Sequence, residues 1–256
     1  MSDDALRALM ERRSVRSWEP GELEGELKDR VIAATLRAPT AGNMMLYSVL
    51  EIEDQGLKDR LAVTCDDQPF IAKAPWLLVF VADWQRWTDY FELSGVRELC
   101  AERGLEYSRP READLFLAID DALIAAQTAA VAAEALGLGC CYVGDVMENY
   151  ETHRELLGLP RYAFPAAMLC VGRPAGRRPE GARVPRFDRR HIVFRNRYER
   201  RSAADFAQMF GTEEYRRRAL LPGAANFGQH MYLRKTAAAF SEEMRRSVRA
   251  ALADWA

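Results

Sequence analysis

Residues 113–145 read ADLFLAIDDALIAAQTAAVAAEALGLGCCYVGD. The run from Ala113 to Leu136 predicts one long helix. Alanine is the best helix former, and between Ala122 and Ala133 only Gln127 and Thr128 interrupt the apolar residues. A helix that is apolar on nearly every side belongs at the centre of a fold, not on its surface. Gly137 and Gly139 end it. Cys140 to Val143 then predicts a short strand that the chain leaves at Gly144-Asp145. Backbone N–H groups at such an exit can face a planar ligand.

Working outward, the flanking sequence alternates strands and helices irregularly. Tyr47–Ile52, Trp76–Ala82 and Ala166–Val171 read as strands, the second apolar at every position and so buried on both faces. Helices are expected at residues 2–10 (capped by Ser2), 23–37, 55–63, 68–73, 150–157, 203–218 and 234–255. The crossovers are uneven and one helix dominates, which predicts an α+β layered domain instead of a regular doubly wound sheet. Residues 1–202 are expected to form the main domain and 203–256 a helical extension of it.

The chain has 256 residues, 49% apolar and 29% charged, with a net charge of -2. This composition excludes disorder, collagen and a disulfide scaffold. The near-neutral balance gives no reason to expect nucleic acid or membrane partners. The longest apolar run, residues 74–82, is too short to span a bilayer, which takes ~20 residues. Five cysteines without CxxC spacing, behind an acidic N-terminus, read as reduced thiols of a cytoplasmic protein. One stretch departs from the bulk: from Arg173 to Arg201 eleven arginines face three acids, a segment that should seek an anion.

The usual catalytic signatures are missing. There is no GxGxxG after a strand, no P-loop, no GxSxG elbow, and His153, His191 and His230 lack metal-ligand spacing. Chemistry here calls for a bound cofactor instead of a side-chain nucleophile or metal. Three stretches could hold one. In Arg12-Arg13-Ser14-Val15-Arg16, two guanidinium groups and a hydroxyl can wrap a phosphate, although a solvated basic helix end has the same composition. Pro39-Thr40-Ala41-Gly42-Asn43 is a small-residue loop that lets a ligand approach the backbone, or a plain connection. Tyr142-Val143-Gly144-Asp145 is the strand exit already described.

These pieces, in this order, resemble the FMN-dependent nitroreductase family, and more closely its NADPH-dependent branch of major oxygen-insensitive nitroreductases and flavin reductases. The segments Gln68-Pro69-Phe70-Ile71-Ala72-Lys73-Ala74 and Leu169-Cys170-Val171-Gly172-Arg173-Pro174 fit it too. The resemblance implies a nitroreductase-like fold with a mixed, mostly antiparallel central sheet, and a homodimer with FMN at the interface. It places Arg12, Arg13 and Ser14 on the FMN phosphate and ribityl chain, and Arg16 at the pyrimidine edge. Gln68 contacts the ring or ribityl, and Tyr142, Val143, Gly144 and Asp145 run along the ring. Thr40, Ala41, Gly42 and Asn43 arrive from the partner subunit, and Arg183 binds phosphate. Two departures stand out. Gly181 occupies the place of a frequent lysine, with Arg177, Arg178 or Arg186 as possible substitutes, and the partner loop lacks its usual serines.

What the resemblance implies in function is an enzyme with no catalytic side chain of its own and no metal. NADPH, favoured over NADH, would pass hydride to flavin N5 and leave. A small-molecule acceptor (a nitroaromatic, a quinone or free flavin) would then take the electrons in the same place. Surplus arginines at 189, 190, 195, 197 and 200 suit the 2′-phosphate of NADPH. Two other readings stay open: a non-catalytic flavin-binding or redox-sensing protein on the same scaffold, and an RNA-binding basic tail, which has only Phe187, Phe194 and Tyr198 as interleaved aromatics. Trp84 and Trp87 are expected to pack on the surface or line a substrate mouth, and Cys140-Cys141 to be buried thiols.

Overall fold

The computed structural model describes residues 4–176 and 186–256. The chain forms two compact units, residues 1–180 with 243–256, and residues 181–242. The expected boundary at 202/203 falls inside the second of them.

The first unit is built on a four-stranded sheet in the order β1 (Tyr47–Ile52), β2 (Trp76–Asp83), β4 (Ala163–Gly172), β3 (Gly139–Val143). All three pairings are antiparallel. The parallel component is the isolated bridge between Ser14 and Cys140 at the β3 edge. β4 begins earlier than the sequence suggests and takes in Pro165. Proline has no N–H for a ladder, and the ladder accommodates it at a register shift between Phe80 and Val81 of β2.

Side chains alternate across β2 and feed two cores. Trp76, Leu78 and Phe80 join the layer under α2 (Gly25–Thr35) and α7 (Glu112–Ala135), while Leu77, Val79 and Val81 join the layer under α3 (Gln55–Thr64) and α4 (Pro69–Ala72). Each large side chain buried here contributes about 1.5–3 kcal/mol. Six alanines of α7, from Ala122 to Ala133, are buried against the sheet. They let the helix approach closely, and enlarging any one would overpack the layer at about 1–3 kcal/mol. By length and composition alone this helix could cross a membrane, with 24 residues and a mean hydropathy of 1.6 in its most apolar window. The unbroken nine-residue run understated it. In the fold it is the core helix of the unit.

α3 is capped by Asp54, whose carboxylate accepts the Leu57 N–H at 2.6 Å. Further helices of this unit are α1 (Asp4–Glu11), α5 (Gln85–Leu93), α6 (Val96–Glu102) and α8 (Tyr150–Leu156). The end of the chain closes a third core in which Trp255 packs edge-on to Tyr162 at 5.3 Å. Trp84 and Trp87 are fixed by indole hydrogen bonds to Asp114 O at 2.7 Å and Met44 O at 2.8 Å, so both pack structurally.

The second unit holds α9 (Arg189–Ile192), α10 (Ala203–Phe210), α11 (Glu213–Arg216) and α12 (Phe227–Met231) around rings of Phe187, Phe210, Tyr215 and Phe227. The single helix expected over 203–218 is two, because the chain turns at Gly211, where a Cβ would lie 2.2 Å from Ala207 O. The helix expected over 234–255 is likewise divided into a π-turn, Tyr232–Thr236, and α13 (Ala239–Ala253).

Candidate functional site

The early arginine cluster runs along the free edge of β3. Val15 N donates to Cys140 O at 3.0 Å and Ser14 bridges to Cys140. The approach is close because residue 139 is glycine: a Cβ there would lie 2.5 Å from Val15 Cγ2. With Val15 turned inward and buried, Arg12 and Arg13 are half-buried and Ser14 and Arg16 exposed. The Arg16 guanidinium stands 5.6 Å from the centroid of Phe70, within cation–π range. Arg12 reaches the Cys140 thiol.

The thiols beneath are inert. Burial pushes Cys140 up to about 11, with Glu134 adding and Arg12 opposing. Burial also raises Cys141 against the pull of Arg16, Ser14 and Arg12. All five cysteines are free, and protonated buried thiols are neither nucleophiles nor redox partners.

Gln68, at the start of α4, is brought to the strand exit. Its Nε2 donates to Asp145 Oδ2 at 2.6 Å and to Cys65 O at 2.8 Å. Both amide hydrogens are therefore used, and what Gln68 offers a ligand is its carbonyl oxygen. Tyr142 lies on the α7 side of β3, its hydroxyl 3.3 Å from Gln127 Oε1, and burial raises its phenol. Val143 is buried and pairs with Met168. Gly144 is exposed, and a Cβ built on it meets nothing within 4 Å.

Thr40, Ala41, Gly42 and Asn43 are not part of this cluster. They form a 3-10 turn leading into β1, at the opposite edge of the sheet. Three strand spacings separate β1 from β3, about 14 Å. Gly42 and Asn43 both take left-handed backbone angles, φ 56° and 58°, and both are exposed. Arg183, with Arg177 and Arg178, lies outside the described residues; Arg186 is exposed in the second unit.

Four residues that shape the site were not anticipated. Phe70 carries Arg16. Asp121, 3% exposed on α7, accepts Ala41 N at 3.0 Å and Leu46 N at 3.1 Å and so fixes the Thr40–Asn43 turn. His153, fully buried, links Val146 O at 2.8 Å to the Thr64 hydroxyl at 2.7 Å and supports the turn after Gly144. Burial lowers its pKa, so the ring is neutral. Glu148 closes that same turn. Asp121 was the most detectable of these: it is an acid at the border of an otherwise apolar helix run.

Two features of this edge suit an anionic, planar cofactor. Arg12 Nη1 is buried without a hydrogen-bond partner in the chain, a donor that an anion would satisfy. The space over Gly144 admits a ring against the backbone. The donor set of Arg12, Arg13 and Ser14 has the chemistry of a phosphate seat.

The nitroreductase family model matches residues 9–173. A protein named FMN reductase (NAD(P)H) from Bacillus subtilis (strain 168) is 33% identical over 183 residues, covering 72% of this chain and 71% of that one. An NADPH-dependent oxidoreductase from Staphylococcus aureus (strain N315) is 29% identical over 209 residues, covering 82% and 80%. Among solved structures, NfrA2 of B. megaterium shares the fold with a TM-score of 0.78 at 24% identity, over 98% of each chain. With the family match running across the arginine edge, β3 and β4 alike, the chain belongs to the nitroreductase family.

Proposed function

We propose that the chain is an FMN-dependent oxidoreductase that draws electrons from NAD(P)H, with NADPH preferred, and reduces small electron-poor acceptors such as nitroaromatics, quinones or free flavin. The observation that carries this reading is the Arg12–Arg16 segment, hydrogen-bonded along the strand whose exit at Gly144 is open and holding an unpartnered buried guanidinium nitrogen. When bound, FMN supplies hydride acceptance and donation, which no side chain here can provide.

The chain's own residues bind, orient and tune. Arg12 and Arg13 hold the phosphate with charge-assisted hydrogen bonds, and Ser14 adds a hydroxyl. Arg16, held against Phe70, places a positive charge where a reduced ring gathers negative charge, which raises the reduction potential. Gln68 presents its carbonyl oxygen to a ring N–H or a ribityl hydroxyl. The Gly144–Asp145 backbone would line the ring, and the open space over Gly144 would leave room for nicotinamide and acceptor to stack in turn.

A second protomer completes this seat in our reading. The Thr40–Asn43 turn leads into β1, at the opposite edge of the sheet from β3, and its backbone is assigned to a ligand held at the β3 edge of a second copy. We therefore read the working unit as a homodimer with the cofactor at the seam. The free thiols suit a reducing, cytoplasmic setting.

Purification followed by FMN reconstitution and anaerobic titration with NADPH and NADH tests the proposal. Yellow protein bleached by NADPH and recoloured by an acceptor is expected. Protein that stays colourless with added FMN overturns the flavin reading. Yellow protein that neither nucleotide bleaches would instead be a flavin-binding or sensing chain.

A further inference from the structure

Glu148 ends the 3-10 turn Asp145–Met147 and is 3% exposed. Its carboxyl lies within hydrogen-bonding reach of that of Asp145, and Asp145 Oδ2 in turn accepts from Gln68 at 2.6 Å. Glu148, Asp145 and Gln68 thus form a line of side chains from the interior of the fold to the proposed flavin seat.

The charged and titratable groups facing Glu148 are almost all acidic. Asp145 comes from its own turn, Asp66 from the α3–α4 connection and Glu243 from α13. Arg246 of α13 is committed to Glu151 and Glu243. His153 of α8 meets the Glu148 backbone with a neutral ring, and the Cys65 thiol, whose rise from burial Asp145 and Glu148 reinforce, stays protonated. Burial first, then Asp145, pushes the Glu148 carboxyl up to about 8. Its Oε1 is buried without a partner, a deficiency that a neutral acid bears far better than a carboxylate.

We propose that Glu148, buried beside Asp145 and linked through it to Gln68 and the Gly144–Asp145 backbone, is a proton store coupled to the redox state of the bound flavin. The inference rests on the flavin reading above. Glu148 is a positioning residue in it, touching neither substrate nor ring. The balance is simple. The nicotinamide is oxidised and the flavin reduced by two electrons, and the added negative charge raises the affinity of Glu148 for a proton. Above about pH 8 the oxidised enzyme has lost that proton, so reduction takes one from water, forming a carboxyl O–H. Reoxidation by the acceptor returns it to solvent. At lower pH the proton is present in both states and nothing is exchanged.

Spectroelectrochemical titration of the FMN holoenzyme from about pH 6 to pH 10 tests this. One extra proton per two electrons steepens the fall of midpoint potential with pH by about 30 mV per unit. The wild type should show this steeper segment above about pH 8. Glu148→Gln, which keeps a donor toward Asp145 but cannot ionise, should be yellow and show no steepening. Reduced-minus-oxidised infrared spectra of the wild-type holoenzyme at about pH 9 should gain a protonated-carboxyl band. A wild type without the steeper segment, or a Glu148→Gln line that coincides with it, overturns the inference while the yellow colour upholds the flavin reading. A chain that takes up no FMN overturns both.

Discussion

The carboxylate of Asp121 accepts the backbone N–H of Ala41 at 3.0 Å, fixing a surface turn from inside the central helix. The second carboxylate oxygen accepts Leu46 N at 3.1 Å, so one buried acid spans the whole approach to β1. Replacing Asp121 by alanine leaves two backbone donors unsatisfied beneath the surface. The cost should be about 2–5 kcal/mol. Urea unfolding of Asp121→Ala against wild type measures it, and a loss under about 0.5 kcal/mol would show that water or a side chain replaces the acid.

Arg12 separates binding from stability. Its Nη1 is buried without a partner in the chain, so apart from the contact with the Cys140 thiol removing the side chain gives up little in the free protein. A guanidinium that pairs with phosphate contributes about 1.5–3 kcal/mol. Arg12→Ala should therefore bind FMN about 10- to 100-fold more weakly while its unfolding midpoint stays close to wild type. Equal FMN affinity for the two proteins, read by fluorescence quenching, would remove Arg12 from the seat.

Two glycines, one opening β3 and one just past its end, should answer substitution in opposite ways. Gly144 has ordinary right-handed backbone angles, φ -86° and ψ -17°, with no atom within 4 Å of a new Cβ. Gly144→Val should fold normally, within about 0.5 kcal/mol of wild type, and fail to retain FMN because the methyl groups fill the space a ring needs. At Gly139 a new Cβ would lie 2.5 Å from Val15 Cγ2 and 2.9 Å from Val15 Cβ. Gly139→Ala should lower stability by about 1–3 kcal/mol and push the arginine segment off the strand. Thermal melts and FMN retention on a desalting column distinguish the two.

Much of the fold was legible because its signals are local. β2 is apolar at every position and is buried on both faces, and the alanine run of α7 forms the core helix as its composition required. Non-local features were hidden. Pro165 truncated β4 on paper because its tolerance depends on a bulge at Ala166, visible only once β4 is paired with β2. Gln68 and Asp145 are 77 residues apart, and only the packing of α4 beside β3 joins them. Asp121 looked like the polar flank of a helix, since its partners lie 75 and 80 residues away. The motifs at residues 12–16, 68 and 142–145 met at one edge, while 40–43 went to the other. Motif order alone carries no information on which protomer supplies which piece.

That division of labour can be tested by mixing. One variant carries Arg12→Ala and Arg13→Ala; the other carries Gly42→Leu, which strains a φ of 56° and distorts the turn. Each homodimer should bind FMN poorly. After unfolding and refolding together, random pairing gives heterodimers with one intact seat each, restoring about a quarter of wild-type FMN binding. Complementation requires the turn and the arginines of a seat to come from different subunits, so no gain over the separate variants would place both in one chain.

The pH dependence of stability should expose Glu148 without any cofactor. Its carboxyl sits near 4.5 when exposed and is pushed up to about 8 in the fold. Between those values the native state holds a proton that the unfolded state has released, so stability falls as pH rises through the window. His153, whose pKa burial lowers from 6.5, has the opposite sign: the neutral native ring loses stability as pH falls below that value. Both effects are present in the wild type, and Glu148→Gln removes only the first. The variant should therefore gain stability relative to wild type from about pH 5 to about pH 8 and run parallel to it above. Denaturant midpoints across that range measure the difference, and a constant gap would mean that the carboxyl titrates alike in the folded and unfolded chains.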